Sequence, residues 1–303
     1  MPTLSVVVEE AAAGGMRLDR YVAECLRLLS RSQVKSRALT ARVNGHSVKI
    51  SRTLVPGDRL DLEWKEIQPS ELEAQDLPLE ILFETDRVVV VNKEQGLVVH
   101  PGAGNRSGTL ANALLFRRLA RGGAGEGSRP GIVHRLDKDT SGTIIAAYDD
   151  EALAFLSEQF KARTTRKTYV AIVKGSPPFD RGSVETHIAR DPLDRKRFAC
   201  AERGGKAALT LYRVVVRFSG YTLMILRPKT GRTHQLRVHM RHLGCPILGD
   251  PIYSRPDARF PKATLMLHAR RLSIILPGAE EPSTFTAPLP ARFRSVLRSL
   301  RGR

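Results

Sequence analysis

The densest run of reactive side chains in this chain is Gly131–Gly142, GIVHRLDKDTSG. An apolar strand end runs into His134, Arg135, Leu136, Asp137, Lys138 and Asp139. Thr140, Ser141 and Gly142 then turn the chain into a second apolar run. Polar groups packed between two buried strands mark a site, because loops held by rigid elements carry function. Asp137, between Arg135 and Lys138, has two readings: a structural ion pair, or a carboxylate available as a nucleophile. Tyr169 lies in an apolar strand, where a tyrosine is commonly core with a wet tip. The four cations Lys161, Arg163, Arg166 and Lys167 precede it. His234, His239 and His242 invite a metal reading. No carboxylate or cysteine completes a ligand set among them, and Arg237 and Arg241 would repel a cation. They read as polar helix residues, and no metal is expected.

The elements that must hold these residues follow from periodicity. Strands are expected at Val88–Asn92, Gly96–Val99, Gly142–Tyr148, Lys167–Lys174, Ala207–Phe218, Tyr221–Pro228, Thr264–His268 and Leu272–Leu276. Helices are expected at Thr109–Ala120, Asp150–Phe160, Thr233–Leu243 and Leu289–Leu300, with a flexible loop at Arg121–Arg129. Long runs of strands with few helices give an α+β domain with a mainly antiparallel sheet. Ahead of it, residues 16–65 hold eleven basic residues against five acidic ones. There Leu18, Tyr21, Cys25 and Leu29 recur as one helix face, and Ser30 or Ser32 can cap a second short helix. Asn44-Gly45 signals a type I′ hairpin, and Leu60, Leu62 and Trp64 alternate as a strand. From Glu66 to Asp86 the charge is acidic with no Lys or Arg. The expected division is a module at 1–66, an acidic linker at 67–78 and a main domain at 79–303.

The whole chain bounds the class. Lys plus Arg is 49 against 31 acids, a net charge of +18. Such a balance argues for a polyanionic partner, nucleic acid first. Three widely spaced cysteines fit neither a disulfide framework nor a zinc set. The first ten residues carry Glu9 and Glu10 and no basic leader, and no apolar run is long enough to span a bilayer. A soluble, reduced, cytoplasmic protein without a membrane partner is expected.

Two resemblances sharpen this. RLDRYVAECLRLLSRSQVK, then VNG, then PGDRLDLEW, resembles the alpha-L RNA-binding domain shared by a small-subunit ribosomal protein and tyrosyl-tRNA synthetases. It implies RNA contacts from Arg17, Arg20, Arg31, Lys35 and Arg37. HRLDKDTSG matches the signature HRLDxxTSG of RluA-type pseudouridine synthases at every fixed position. VNKEQGLVVHPG, RKTYVAIVKG, RPKTGRTHQLRVHMRHLGCPILGDPIY and LMLHARRLSIILP resemble the family's other motifs, so the likeness spans about residues 78–290. It departs at VNKE, where the family more often has Asp and Pro.

The resemblance implies an α+β pseudouridine synthase that detaches a uracil, rotates it and rejoins it through C5 without redox change or cofactor. It implies Asp137 as the catalytic carboxylate, Arg232 as its salt-bridge partner, and Tyr169 stacking on the uracil and acting as general base. Leu236 would pack against the ring and Arg135 would hold the place of the extruded base. His134 would support the loop, and Lys138 would flank the substrate. Lys161, Arg163, Arg166 and Lys167 would position RNA phosphates, which carry no sequence information. An alpha-L module ahead of such a domain resembles the synthases acting on large-subunit ribosomal RNA, here as a monomer. The alternatives are a catalytically silent RNA-binding assembly factor, a uridine hydrolase and a transfer-RNA synthase.

Overall fold

The computed structural model describes residues 1–9, 15–65, 72–102, 104–122, 131–194, 197–202 and 204–302, and the side chains of Ser32, Lys35 and Ser36 lie outside this description. The chain separates into two units, Met1–Glu71 and Leu72–Arg303, each with its own contacts. The division falls inside the expected 67–78 linker. Residues 67–71, like most of the expected Arg121–Arg129 loop, lie outside the described residues. The stretch from Leu72 belongs to the second unit. There the Asn112 side chain donates to the Glu73 carbonyl at 2.7 Å, and Gln75 accepts from the Gly108 N–H at 2.7 Å.

In the first unit, β1 (Thr3–Val7), β2 (Thr40–Val43), β3 (His46–Val48) and β4 (Arg59–Glu63) form an antiparallel sheet in the order β1-β4-β2-β3. Asn44 and Gly45 both take positive φ, 51° and 81°, as a type I′ hairpin requires. Against the sheet pack α1 (Leu18–Arg20), a π-helical turn (Tyr21–Cys25) and α2 (Arg31–Ser36). The π turn changes the helical phase. Val22 is buried with Leu18, Tyr21 and Leu29, whereas Cys25 is exposed, contrary to the expected face. Ser30 and Gln33 cap α2 reciprocally: Gln33 accepts the Ser30 N–H at 2.8 Å, and the Ser30 hydroxyl accepts the Gln33 N–H at 3.4 Å.

The second unit is α+β. Its strands are β5 (Glu80–Glu84), β6 (Val88–Lys93), β7 (Ser141–Ala147), β8 (Arg166–Lys174), β9 (Arg181–Arg190), β10 (Phe198–Ala201), β11 (Lys206–Phe218), β12 (Tyr221–Pro228), β13 (Leu267–Ile275) and β14 (Pro282–Thr286). They run β10-β9-β11-β12-β8-β13-β7-β6-β5, with β14 beside β13. Every pairing is antiparallel except the short β13–β7 contact at His268–Ser141 and Ala269–Gly142. The expected strands 264–268 and 272–276 are one element. A bulge between Ala269 and Arg271 interrupts its register with β8, and the strand passes from β7 to β14 at that point.

Among the described residues four helices flank this sheet: α3 (Leu110–Ala120), α4 (Asp150–Ala162), α5 (Gln235–His242) and α6 (Ala291–Arg301). On α6, Phe293, Val296, Leu297 and Leu300 are buried at helical spacing. They join Met224, Leu226, Leu236, Met240 and Ile247 in the main core.

The partner switch of β13 leaves one edge of β7 open beyond Gly142, and the signature segment occupies it. Ile132 bridges Ala146, the Ala147 N–H donates to the Gly131 carbonyl at 2.8 Å, and the Ile145 N–H donates to His134 Nε2 at 3.1 Å. The approach leading to Asp137 is therefore held like an extra strand.

Candidate active site

Asp137 sits in the turn between that edge segment and β7, where the Thr140 N–H donates to its carbonyl at 3.0 Å. Its side chain is 22% exposed at the floor of a cavity of about 440 Å³. Tyr169 faces the same cavity from β8, between Leu226 on β12 and Ala269 on β13. Leu236, buried on α5, forms part of the wall. The sheet, the signature turn and α5 thus bring together a carboxylate, an aromatic ring and an apolar surface. Burial raises the Tyr169 phenol well above its ordinary range, with the Asp137 charge adding to it, so the ring is neutral at physiological pH.

The cation at Asp137 is Arg237, not Arg232. Arg237 Nη1 lies 3.4 Å from Asp137 Oδ2. Its Nε and Nη2 donate to the two oxygens of Asp250 at 2.7 and 2.8 Å. Asp250 is fully buried and also accepts the N–H groups of Ile252 and Tyr253. The guanidinium is 3% exposed and cannot turn away without stranding that carboxylate. Arg232 lies ahead of α5, lines the cavity, and donates from Nε to the Ala207 carbonyl at 3.0 Å. The reason is helical phase. The α5 helix starts at Gln235, so Leu236 and Arg237 turn inward while Arg232 remains on the loop beside β11.

Gln235 fixes that phase. It accepts from the Thr230 hydroxyl and the Arg232 N–H, and donates to the Leu209 carbonyl and the Thr210 hydroxyl. His239, one turn on, is buried between the hydroxyls of Thr210 and Thr186 at 2.9 and 3.1 Å. Burial lowers its pKa to about 4. His234, expected to be an ordinary helix residue, lies in the cavity wall with Nε2 3.9 Å from Asp137 Oδ2.

His134 stacks on Phe160 at 4.4 Å, and burial lowers its pKa to about 3. As a neutral acceptor of the Ile145 N–H it supports the loop. Arg135 is exposed at the cavity mouth. Lys138 is exposed but is not a lining residue, because the turn at Thr140 carries it away from the cavity. Its carbonyl accepts from the buried Lys93 ammonium at 3.0 Å and from the Gly96 N–H at 2.9 Å. Lys93 also donates to the carbonyls of Glu94 and Leu97, and burial lowers it to about 8, opposed by Asp139 and Asp137. Lys161, Arg163 and Lys167 line the cavity with Arg135, Lys229 and Arg232, whereas Arg166 is exposed outside it.

In the first unit, Arg17 forks onto Asp19, Arg31 approaches the same carboxylate at 3.4 Å, and Arg20 pairs with Glu24. Arg37 is half-buried, and the Lys35 side chain lies outside the described residues. Sequence reasoning missed Arg237, Asp250, His234 and Lys93, all of which stand in the quoted motifs.

A carboxylate held by a buried guanidinium, beside an aromatic ring and inside a ring of cations, defines an enzyme site for a polyanion carrying a planar base. Residues 87–242 match the family model described as RNA pseudouridylate synthase. Ribosomal large subunit pseudouridine synthase D of Borreliella burgdorferi is 43% identical over 92% of this chain and 87% of its own length. The Zymomonas mobilis protein of that name is 38% identical over 99% of this chain and 98% of its own. Among solved structures, human RNA pseudouridylate synthase domain containing 4 is similar with a TM-score of 0.59 and 30% identity, over 73% of this chain and 93% of its own. The chain belongs to the RNA pseudouridylate synthase family, and its activity is the isomerisation of uridine to pseudouridine in RNA.

Proposed function

We propose that this enzyme modifies uridine in large-subunit ribosomal RNA, with Asp137 as the catalytic carboxylate. The observation that carries the chemical assignment is the pairing of Asp137 with a guanidinium itself locked by Asp250. An ionised carboxylate in a closed pocket needs such a cation. The glycosidic bond of uridine breaks as the carboxylate adds to the sugar or base, or stabilises the departing sugar cation. Tyr169 stacks on the loose uracil and Leu236 backs it while it rotates, and rejoining at C5 releases the C5 proton. A neutral phenol with a raised pKa is a weak base in its resting state, so Tyr169 acts first as a stacking surface.

The target base leaves its stack to enter, at a cost of a few kcal/mol, and Arg135 at the mouth is placed to hold the vacated position. Lys161, Arg163, Lys167, Lys229 and Arg232 around the opening receive backbone phosphates. The choice of RNA rests on the substrate named for the relatives in Borreliella burgdorferi and Zymomonas mobilis, which extend over nearly the whole chain. The first unit supplies a further RNA contact, and the enzyme acts as a cytoplasmic monomer.

Two measurements test this. Asp137→Asn retains size and hydrogen bonding but loses the charge; tritium release from 5-tritiated uridine RNA should vanish while RNA affinity stays within about threefold. Pseudouridine mapping in cells lacking the gene should show loss at one or a few large-subunit sites. Loss confined to transfer RNA would overturn the substrate and leave the chemistry intact.

A further inference from the structure

His234 occupies an unusual place. Its backbone is left-handed, φ 55°, at the position just before α5, a conformation that residues with a Cβ seldom adopt. Two aromatic rings stand nearly perpendicular to its imidazole, those of Phe198 and Tyr253, each with ring centroids 5.6 Å away. Nδ1 lies 2.9 Å from Tyr253 Oη, and that oxygen accepts the Phe198 N–H at 2.8 Å.

These contacts favour the tautomer with its hydrogen on Nε2. Burial raises the Tyr253 pKa, so its phenol keeps its proton. The oxygen already accepts from Phe198, and the phenolic proton has His234 Nδ1 as its acceptor. The imidazole hydrogen then resides on Nε2, which points at Asp137 Oδ2 from 3.9 Å. The charged groups facing this ring are Asp137 in the signature turn, Arg237 on α5, Asp250 beyond it and Arg135 at the mouth. A distance of 3.9 Å exceeds a hydrogen bond, but catalytic contacts are often long without substrate and tighten when it binds.

We propose that His234 is a positioning residue for the isomerisation: its Nε2–H is the second donor to Asp137, beside Arg237, and it fixes which carboxylate oxygen meets the substrate. The inference rests on the assignment of Asp137 as the catalytic carboxylate. Tyr253 acts through it by holding the tautomer, and the backbone of β10 holds Tyr253. The strained backbone is held by the Nδ1 contact and the two aromatic rings beside the imidazole.

The test uses the full chain and steady-state tritium release from 5-tritiated uridine RNA. His234→Leu removes the donor, and kcat should fall about tenfold or more, as for a misplaced reacting group, with KM within about twofold. His234→Gln restores an N–H at nearly the same reach and should recover most of the rate. Tyr253→Phe should fall between the two. A His234→Leu enzyme within twofold of wild type would overturn the proposal, as would a Gln variant as slow as Leu. If His234→Leu does not fold, Tyr253→Phe at a wild-type rate overturns it equally. Asp137→Asn at wild-type rate would instead refute the carboxylate assignment itself.

Discussion

Arg237 holds two carboxylates, and the consequences of removing it differ in kind from those of removing Arg232. Arg237→Met leaves Asp250 buried and unpaired, which should destabilise the fold by about 3–5 kcal/mol, read as a lowered urea midpoint. Arg237→Met combined with Asp250→Asn should recover part of that stability but none of the activity, since Asp137 still lacks its cation. Arg232→Met removes one bond to the Ala207 carbonyl, so stability should change by only about 1 kcal/mol. Its rate loss should appear in KM, through lost phosphate contacts. A loss confined to kcat would reinstate it as the partner of Asp137. The segments that bring Asp137 and Tyr169 to one cavity were legible because their neighbours along the chain define them. The partner of Asp137 was not, because Arg232 and Arg237 both stand in TGRTHQLR and only the start of α5 and the reach to Asp250 separate them. Lys138 was misjudged similarly: adjacency to Asp137 says nothing about which way a turn sends the next side chain.

Two glycines pin the signature segment to the sheet. A Cβ on Gly142, φ 118°, would sit 2.2 Å from the Ala269 carbonyl oxygen across the parallel β7–β13 contact, and one on Gly131 would sit 1.7 Å from that of Ala147. Gly142→Ala must therefore push two backbones apart, and a loss of more than about 2 kcal/mol is expected from strain and overpacking, measurable by urea denaturation. Three buried histidines clasp elements in the same region: His134 joins the segment to β7, His239 joins α5 to β9 and β11, and His268 on β13 meets the Ser141 hydroxyl of β7 at 2.9 Å. Burial lowers them to about 3, 4 and 4 respectively. Below their ordinary pKa of about 6.5 the unfolded chain binds protons that the native state refuses. Their contribution is therefore complete above pH 6.5 and is lost as pH falls toward 4 and 3. The slope reaches at most about 4 kcal/mol per pH unit for three linked protons. Urea titrations at pH 7.5, 6 and 5 read it directly, and replacing His239 by Gln should remove about a third of it. Elements with long apolar runs or strong periodicity, such as β6, β7, β8 and α3, were legible. The strands β5, β9, β10 and β14 were not, because few of their residues are buried: β9 buries Val184 and Ile188, and β14 buries Phe285, and β13 read as two strands because its bulge breaks the alternation.

At the scale of the whole molecule the two units have separate cores. Val8, Leu18, Val22, Leu54, Leu60 and Trp64 pack within the first, and the second closes around its own sheet. On the proposed role of the first unit in holding RNA, its charge serves contact more than stability. Arg17, Arg20 and Arg31 sit with side chains about half exposed in ion pairs of the kind that contribute little to folding. Such pairs hold guanidinium groups at a surface, where phosphate can compete for them. A large RNA that must be modified at one loop gains from such a second contact, because it raises the effective concentration of the catalytic cleft at that loop. Deleting residues 1–71 should therefore leave a unit that unfolds cooperatively near the temperature of the full chain. It should retain most activity on a short stem-loop and lose much more on intact ribosomal RNA. Its affinity for the long RNA should fall less steeply with salt, the logarithmic slope dropping by about 0.7–0.9 for each phosphate contact removed. Binding of both RNAs at several salt concentrations separates the outcomes. Equal losses on short and long RNA, with an unchanged slope, would mean that the first unit supports the catalytic fold and does not hold RNA.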